Sequence, residues 1–236
     1  MIDKQLKDLY LERWELLSEK LKNIVETSEY SIKPANPLLL TLKDETKFIE
    51  ADIRIMIFGQ ETNSWGKEGF HNDINKTLKR YDDFFHEKGY WEYGKGFWNG
   101  VLLFLDKIHA KYPNKKIEFI WNNLIKIGKS NKRGKPPHYI RNIEKEHFNI
   151  INEEIEIINP NLILFLSGPN YDYILDKEIE GFDKEGKLEG FTPRKLLKFK
   201  FKEKIPCYRT YHPNYMWRSS NIHSYYGAIV NDLDIK

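Results

Sequence analysis

IRIMIFG, residues 53–59, is an apolar run broken by one charge and closed by a glycine. A strand buried on both faces requires such a near-continuous run, and strands of that kind belong to parallel sheets. Working outward, three more short runs have strand character, IEFIW (117–121), LILFLSG (162–168) and CYRTYH (207–212), the first two near-continuously apolar as well. Helical spacing separates them. Residues 76–87 carry Leu78, Tyr81, Phe84 and Phe85; residues 97–111 carry Phe97, Val101, Leu105 and Ile108; residues 140–158 carry Ile143, Ile151, Ile155 and Ile158 and close on Asn159-Pro160. Upstream, Leu6, Leu9, Trp14, Leu17, Leu21 and Val25 lay an apolar stripe along a helix over 4–26, which the proline-containing SIKPANPLLL ends. Alternation of strand and helix predicts an α/β fold: a three-layer sandwich with a central four-stranded, mostly parallel sheet flanked by helices. The basic stretch 128–138 and the charged, glycine-rich stretch 181–194 read as loops. No repeat or linker divides the 236 residues, so one domain is expected, with 1–50 as an N-terminal helical cap on an α/β core over 51–236.

Composition narrows the partners. There are 38 Lys and Arg against 35 Asp and Glu, a formal charge of only +3, so charge alone does not demand nucleic acid. The single cysteine, Cys207, excludes an internal disulfide and any cysteine-based metal cluster, and it fits a reducing cytoplasm. Neither a metal nor another cofactor is expected. No apolar run approaches the ~18 residues of a membrane span, and the charged N-terminus does not resemble a signal peptide. A cytoplasmic monomer is the expectation.

Ligands of open α/β sheets bind beyond the carboxyl ends of the strands. There the chain places GQETNSWG (59–66), NNLIKIG (122–128), GPNY (168–171) and HPNYMWRSS (212–220). Gly59-Gln60-Glu61-Thr62-Asn63 resembles the GQDPY motif of uracil-DNA glycosylases. IWNNLIK (120–126) resembles the segment in which an Asn reads the base, and His212-Pro213-Asn214 resembles the HPS motif that closes the site. The three come in the order of the uracil-DNA glycosylase superfamily and frame residues 59–214. The chain departs from the motifs at Glu61 (for Asp), Thr62 (for Pro) and Tyr215 (for the second Pro of HPSP), and it lacks the four cysteines of the iron–sulfur branch. No branch is assigned.

The resemblance implies a DNA glycosylase that hydrolyses the N-glycosidic bond of a flipped, uracil-like or modified base and leaves an abasic site. By motif position, Glu61 is the carboxylate that orients water and offsets positive charge on the sugar, and His212 donates to the base carbonyl. Gln60 and Asn63 would meet the base. Asn123 reads its identity in the NxxK alignment and Asn122 in the uracil-specific register; strand alternation lets only one of them face the pocket. Phe70 would stack on the base, with Trp65 as competitor. Met216 would wedge into the duplex beside Trp217. Arg218 and Ser219, with Lys132 and Arg133 of the basic loop, would hold DNA phosphates, in double or single strands. Structural alternatives stand beside these roles: Glu61 as a helix cap, His212 as a buried histidine bonded to backbone, Met216 and Trp217 as packing, and the basic loop as a solvated face. Thr62 and Asn63 leave more room than the Pro-Tyr of the uracil branch, which suits a bulky modified base of phage DNA, excised as antiviral defence rather than in repair. A binding relative that has lost the reaction, or a small-molecule enzyme on the same kind of sheet, are the readings of a different class.

Overall fold

The computed structural model describes residues 1–62, 65, 69–87, 89, 90 and 95–235. In chain order it runs α1 (Ile2–Glu26), β1 (Pro34–Pro37), α2 (Glu45–Ile49), β2 (Ile53–Glu61), α3 (Ile74–Tyr81) continued by a π-turn (Asp82–His86), α4 (Lys95–Lys111), β3 (Ile117–Ile125), β4 (Ile127–Lys129), α5 (His138–His147), α6 (Ile151–Ile158), β5 (Leu162–Phe165), a 3-10 turn (Pro169–Tyr171), α7 (Asp172–Glu178), β6 (Leu196–Phe201), β7 (Ile205–Thr210), α8 (Pro213–Arg218) and α9 (Ile222–Asp232). The central sheet has the order β3-β2-β5-β7-β6, and only β6 runs antiparallel. One layer holds α1 against α5 and α6; the other holds α4 against α8 and α9.

The α/β class and mostly parallel sheet follow from the buried run Ile55–Gly59 of β2 and the fully buried β5. The expected four strands are corrected to five. The extra strand, β6 (LLKFKF), lies at the edge with Lys200 exposed, so it alternates and never forms a continuous apolar run. It joins β7 through Lys202 and Glu203, both at positive φ (47° and 59°), the left-handed backbone that tight hairpins need. The helix expected over 140–158 is two helices. They part at Phe148 and Ile150, which leave helical backbone angles (φ −145° and −122°) while both side chains stay buried, 1% and 0% exposed. In α1, Ile24 is buried in place of Val25. No helix among the described residues is long and apolar enough to cross a membrane.

β3 outlasts its predicted end at Trp121 by four residues, so Asn122 and Asn123 lie inside the strand. β3 has a sheet neighbour on one side only, and side chains satisfy its outer edge. The Tyr81 hydroxyl accepts the Trp121 N–H at 3.3 Å and donates to its carbonyl at 2.6 Å. Asn122 Oδ1 accepts the Asn123 N–H at 2.8 Å, and just past the end of the strand the Glu144 carboxylate accepts the N–H groups of Lys126 and Ile127 at 2.8 and 3.0 Å. These bonds supply what a sixth strand would give, so Asn tolerates strand geometry here. At the opposite edge, Gly181 and Gly186 of the 181–194 loop rest on β6. A Cβ on either would stand 2.2 or 2.1 Å from the carbonyl oxygens of Lys200 and Lys198.

Candidate functional site

The chain leaves β2 toward β3 on one side and crosses from β3 to β5 on the other, so a crevice opens between the carboxyl ends of β2 and β5. Across it Gln60 Nε2 donates to the Ser167 carbonyl at 2.7 Å, and the Tyr171 hydroxyl donates to Glu61 Oε2. From here a cleft of about 1190 Å³ extends over the ends of β2 and β3 to α4 and α8.

Gly59 pairs in register with Asn123 at its floor. A Cβ there would stand 2.4 Å from an amide atom of Asn123, 3.4 Å from Phe97 Cζ and 3.5 Å from Trp121 Nε1. The missing side chain lets these three groups converge. Trp121 and Asn123, two residues apart, share one face of β3. With its amide oriented to satisfy both ends, Asn123 accepts the Thr62 N–H at 3.2 Å and donates to the Asn122 carbonyl at 3.0 Å. One N–H and one lone pair remain for a ligand.

His212 caps α8. Its Nδ1 accepts the Asn214 N–H at 3.1 Å, with Pro213 at the first helical position. α8 can approach α4 because Gly96 and Gly100 are bare, as a Cβ on Gly96 would overlap the Asn214 side chain and one on Gly100 would come within 2.5 Å of Pro213. The His212 ring lies 5.3 Å from that of Phe97. Burial, and then the positive charge of Arg218, push His212 down to about 4, so the ring is neutral at pH 7. Because Nδ1 accepts, its one proton sits on Nε2, and the ring is a donor without being a cation.

Glu61 is half-buried at the end of β2 and caps none of the described helices. Burial raises its carboxyl above the ordinary value, while the Tyr171 hydrogen bond and the charges of Lys135 and Lys129 oppose the rise. Lys135 Nζ lies 4.1 Å above the Tyr171 ring and donates to the Asn170 carbonyl at 3.2 Å, which ties the basic loop to this end of the cleft.

Glu61, Gln60, Asn123, His212, Arg133 and Arg218 therefore line one cleft. Other expected residues lie outside this lining. Asn122 faces away from it, fully buried, with Nδ2 donating to Glu154 and Oδ1 accepting from Lys126 Nζ at 2.7 Å. Phe70 packs against Trp14 of α1, ring centroids 6.3 Å apart, and does not line the cleft, whereas Trp65 does. Met216 is fully buried on the inner side of α8, where its sulfur meets the Thr210 hydroxyl, so it is no wedge. The Ser219 hydroxyl turns back to the carbonyls of Tyr215 and Met216 rather than outward. Trp217 is 39% exposed beside a shallow groove continuous with the cleft mouth, its indole N–H bonded to the Gly96 carbonyl at 3.0 Å. Lys132 is exposed on the basic loop, outside the cleft lining. Asn63 lies outside the described residues.

Sequence reasoning missed Trp121, Arg80 and Tyr171. Trp121 had a signal, since it stands two residues before Asn123 and so on the same strand face. Tyr171 had only its place after β5. Compared with protein-family models and with curated proteins, the chain matches none.

Proposed function

We propose that this protein is a DNA glycosylase that hydrolyses the bond between a base and its deoxyribose. The observation that carries the proposal is the meeting, in one aromatic-floored cleft, of a carboxylate (Glu61), a neutral imidazole donor (His212) and an amide with a donor and an acceptor to spare (Asn123). N-glycoside cleavage needs these groups. As the C1′–N bond breaks, its electron pair leaves with the base and positive charge spreads over the sugar. His212 Nε2–H, hydrogen-bonded to a base carbonyl, stabilises the departing anion. The Glu61 carboxylate offsets the sugar cation, orients a water toward C1′ and accepts its proton as the new C–O bond forms. A donor that is neutral beforehand retains its proton, and its contribution grows with the negative charge. Arg133 and Arg218 at the mouth supply charge for phosphates.

The cleft exceeds the roughly 300–1,000 Å³ usual for small-ligand sites, which favours a bulky modified base over an unmodified one and, with it, defence against foreign DNA over repair. The test is to incubate oligonucleotides, duplex and single-stranded, carrying uracil, hydroxymethyluracil, hypoxanthine or glucosylated hydroxymethylcytosine, and to score abasic sites by alkali. Cleavage of at least one substrate is expected, lowered about 10²–10³-fold by His212→Ala and abolished by Glu61→Gln. Cleavage indifferent to both substitutions refutes the assignment of roles. Salt-sensitive binding without cleavage of any substrate identifies a DNA-binding relative without the reaction.

A further inference from the structure

Among the described residues, four buried polar atoms in the cleft lining have no hydrogen-bond partner: Trp65 Nε1, Trp121 Nε1, Arg80 Nε and Thr62 Oγ1. Trp65 and Trp121 are 6% exposed and Thr62 2%. Native structures leave few buried polar groups unpaired, because each one loses its hydration without return. The chemistry of this set is one-sided. Indole Nε1 and guanidinium Nε are donors only, and a hydroxyl can serve as one.

The donors are held in a rigid frame. The Trp65 and Trp121 rings meet edge to face at 5.7 Å, and Phe84 lies 5.4 Å from each. Trp98 meets Trp121 edge to face at 5.3 Å, and Tyr81 stacks on Trp121 at 6.0 Å while bonding its backbone. Arg80 stands one helical turn before Phe84 on the same side of its helix. Trp121 Nε1 projects beside Gly59, at the point where Asn123 offers its amide. Rings fixed in this way cannot turn their N–H groups to solvent, so the donors stand ready for a ligand.

We infer that Trp65, Arg80 and Trp121 form a subsite for an oxygen-rich substituent carried by the bound base, a hydroxyalkyl group or a sugar attached through one. Flat apolar walls with donors at their edges suit a group with apolar faces and several acceptor oxygens, and an unsubstituted base ring leaves the Trp65 and Arg80 donors unused. The inference rests on the glycosylase reading for the identity of the ligand as a base in DNA, but its test is binding and needs no turnover.

The experiment measures affinity of the full chain, by fluorescence polarisation, for labelled oligonucleotides that differ in one group on one pyrimidine: methyl, hydroxymethyl or glucosyloxymethyl. A carboxymethyl arm separates attraction of Arg80 for anions from bonding to neutral oxygens. Affinity should rise from methyl to hydroxymethyl to sugar, by roughly three- to tenfold for each donor engaged. Trp121→Phe and Trp65→Phe keep the rings and remove the N–H groups; each should erase part of that rise, lowering affinity for the hydroxymethyl and sugar-bearing bases by a larger factor than for the methyl base. Arg80→Met, on a partly exposed helix face, repeats the test at a position that does not threaten the fold. Equal affinity across the neutral series overturns the inference, as does a preference that survives all three substitutions or one confined to the carboxymethyl arm. A substituent preference without abasic product keeps the subsite and removes the reaction; cleavage of uracil with no substituent preference does the reverse.

Discussion

Lys126 and Glu154 are 1% and 0% exposed at the side chain and face each other behind β3. The ammonium donates to both Glu154 oxygens, at 2.7 and 2.8 Å, and to Asn122 Oδ1 at 2.7 Å. Glu154 also accepts from Asn122 Nδ2 at 2.8 Å and from the Tyr10 hydroxyl of α1 at 2.7 Å. Burial pushes the lysine down, and Glu154 and Glu144 pull it back. Glu154→Gln removes the countercharge and sets an amide N–H₂ against existing donors. Stranding one member of a buried pair costs about 3–5 kcal/mol, against a total stability of about 5–15 kcal/mol for a folded domain. At about 2–4 °C per kcal/mol for a chain of this size, the midpoint should fall by about 6–20 °C. Lys126→Met should cost a similar amount, while Lys126→Met with Glu154→Gln, which leaves no unpaired charge, should cost clearly less than the sum of the two. Urea unfolding of the four proteins measures the cycle. Strict additivity, or a loss under about 1 kcal/mol from Glu154→Gln, would refute the claim that the pair acts as a unit.

Gly59→Ala drives a methyl into the Asn123 amide, so substrate affinity and turnover should collapse while the fold is weakened by only about 1–3 kcal/mol; normal activity in a folded Ala variant would sink the role of that close approach. With the native His212 near 4 and the ordinary value 6.5, the unfolded chain binds more protons between those limits, so this residue lowers stability as pH falls from 6.5 toward 4. His212→Asn, which keeps a capping side chain, should flatten the slope of melting temperature against pH over that window, and an unchanged slope counts against a neutral ring. If Glu61 acts ionised, the acid limb of the rate–pH profile should lie above the ordinary carboxylate value, because burial raises Glu61, and Tyr171→Phe should move that limb further up by removing the opposing hydrogen bond; a limb that ignores Tyr171→Phe belongs to another group. Cys207 is fully buried, its thiol pushed up to about 12, so a thiol reagent should label it only as fast as the chain opens. Rapid labelling of the native protein would contradict the packing of β7.

Most of the parallel sheet was legible because strands buried on both faces read as near-continuous apolar runs, as IRIMIFG and LILFLSG do. β6 escaped because one of its faces carries lysines. The end of β3 was misplaced because Asn122, Asn123 and Lys126 read as a polar turn, yet Asn122 and Lys126 find their partners Glu144 and Glu154 18 to 32 residues later on α5 and α6. Period-two alternation did separate Asn122 from Asn123; which of them met the cleft was decided by the side on which Glu154 lay. Met216 and Trp217 are adjacent on a six-residue helix, where local sequence does not say which one turns inward. The unpartnered donors were invisible for a plainer reason. A missing hydrogen bond is a property of three-dimensional packing, and no residue type announces it.

The side chains bonded to the outer edge of β3, and the glycine loop seated on β6, do more than stabilise their own strands. A bare edge strand is a template on which another extended chain can add, whether a second copy, a stray peptide or a growing fibril. Here Tyr81 and Asn122 already occupy backbone groups of Trp121 and Asn123 on one edge, and the close approach of residues 181 and 186 leaves little room beside the other. Strand addition at either edge must first displace native contacts. The sheet is thereby guarded against cross-β assembly at both ends, and Tyr81→Phe, which frees the Trp121 backbone, is the substitution most apt to reopen the β3 side.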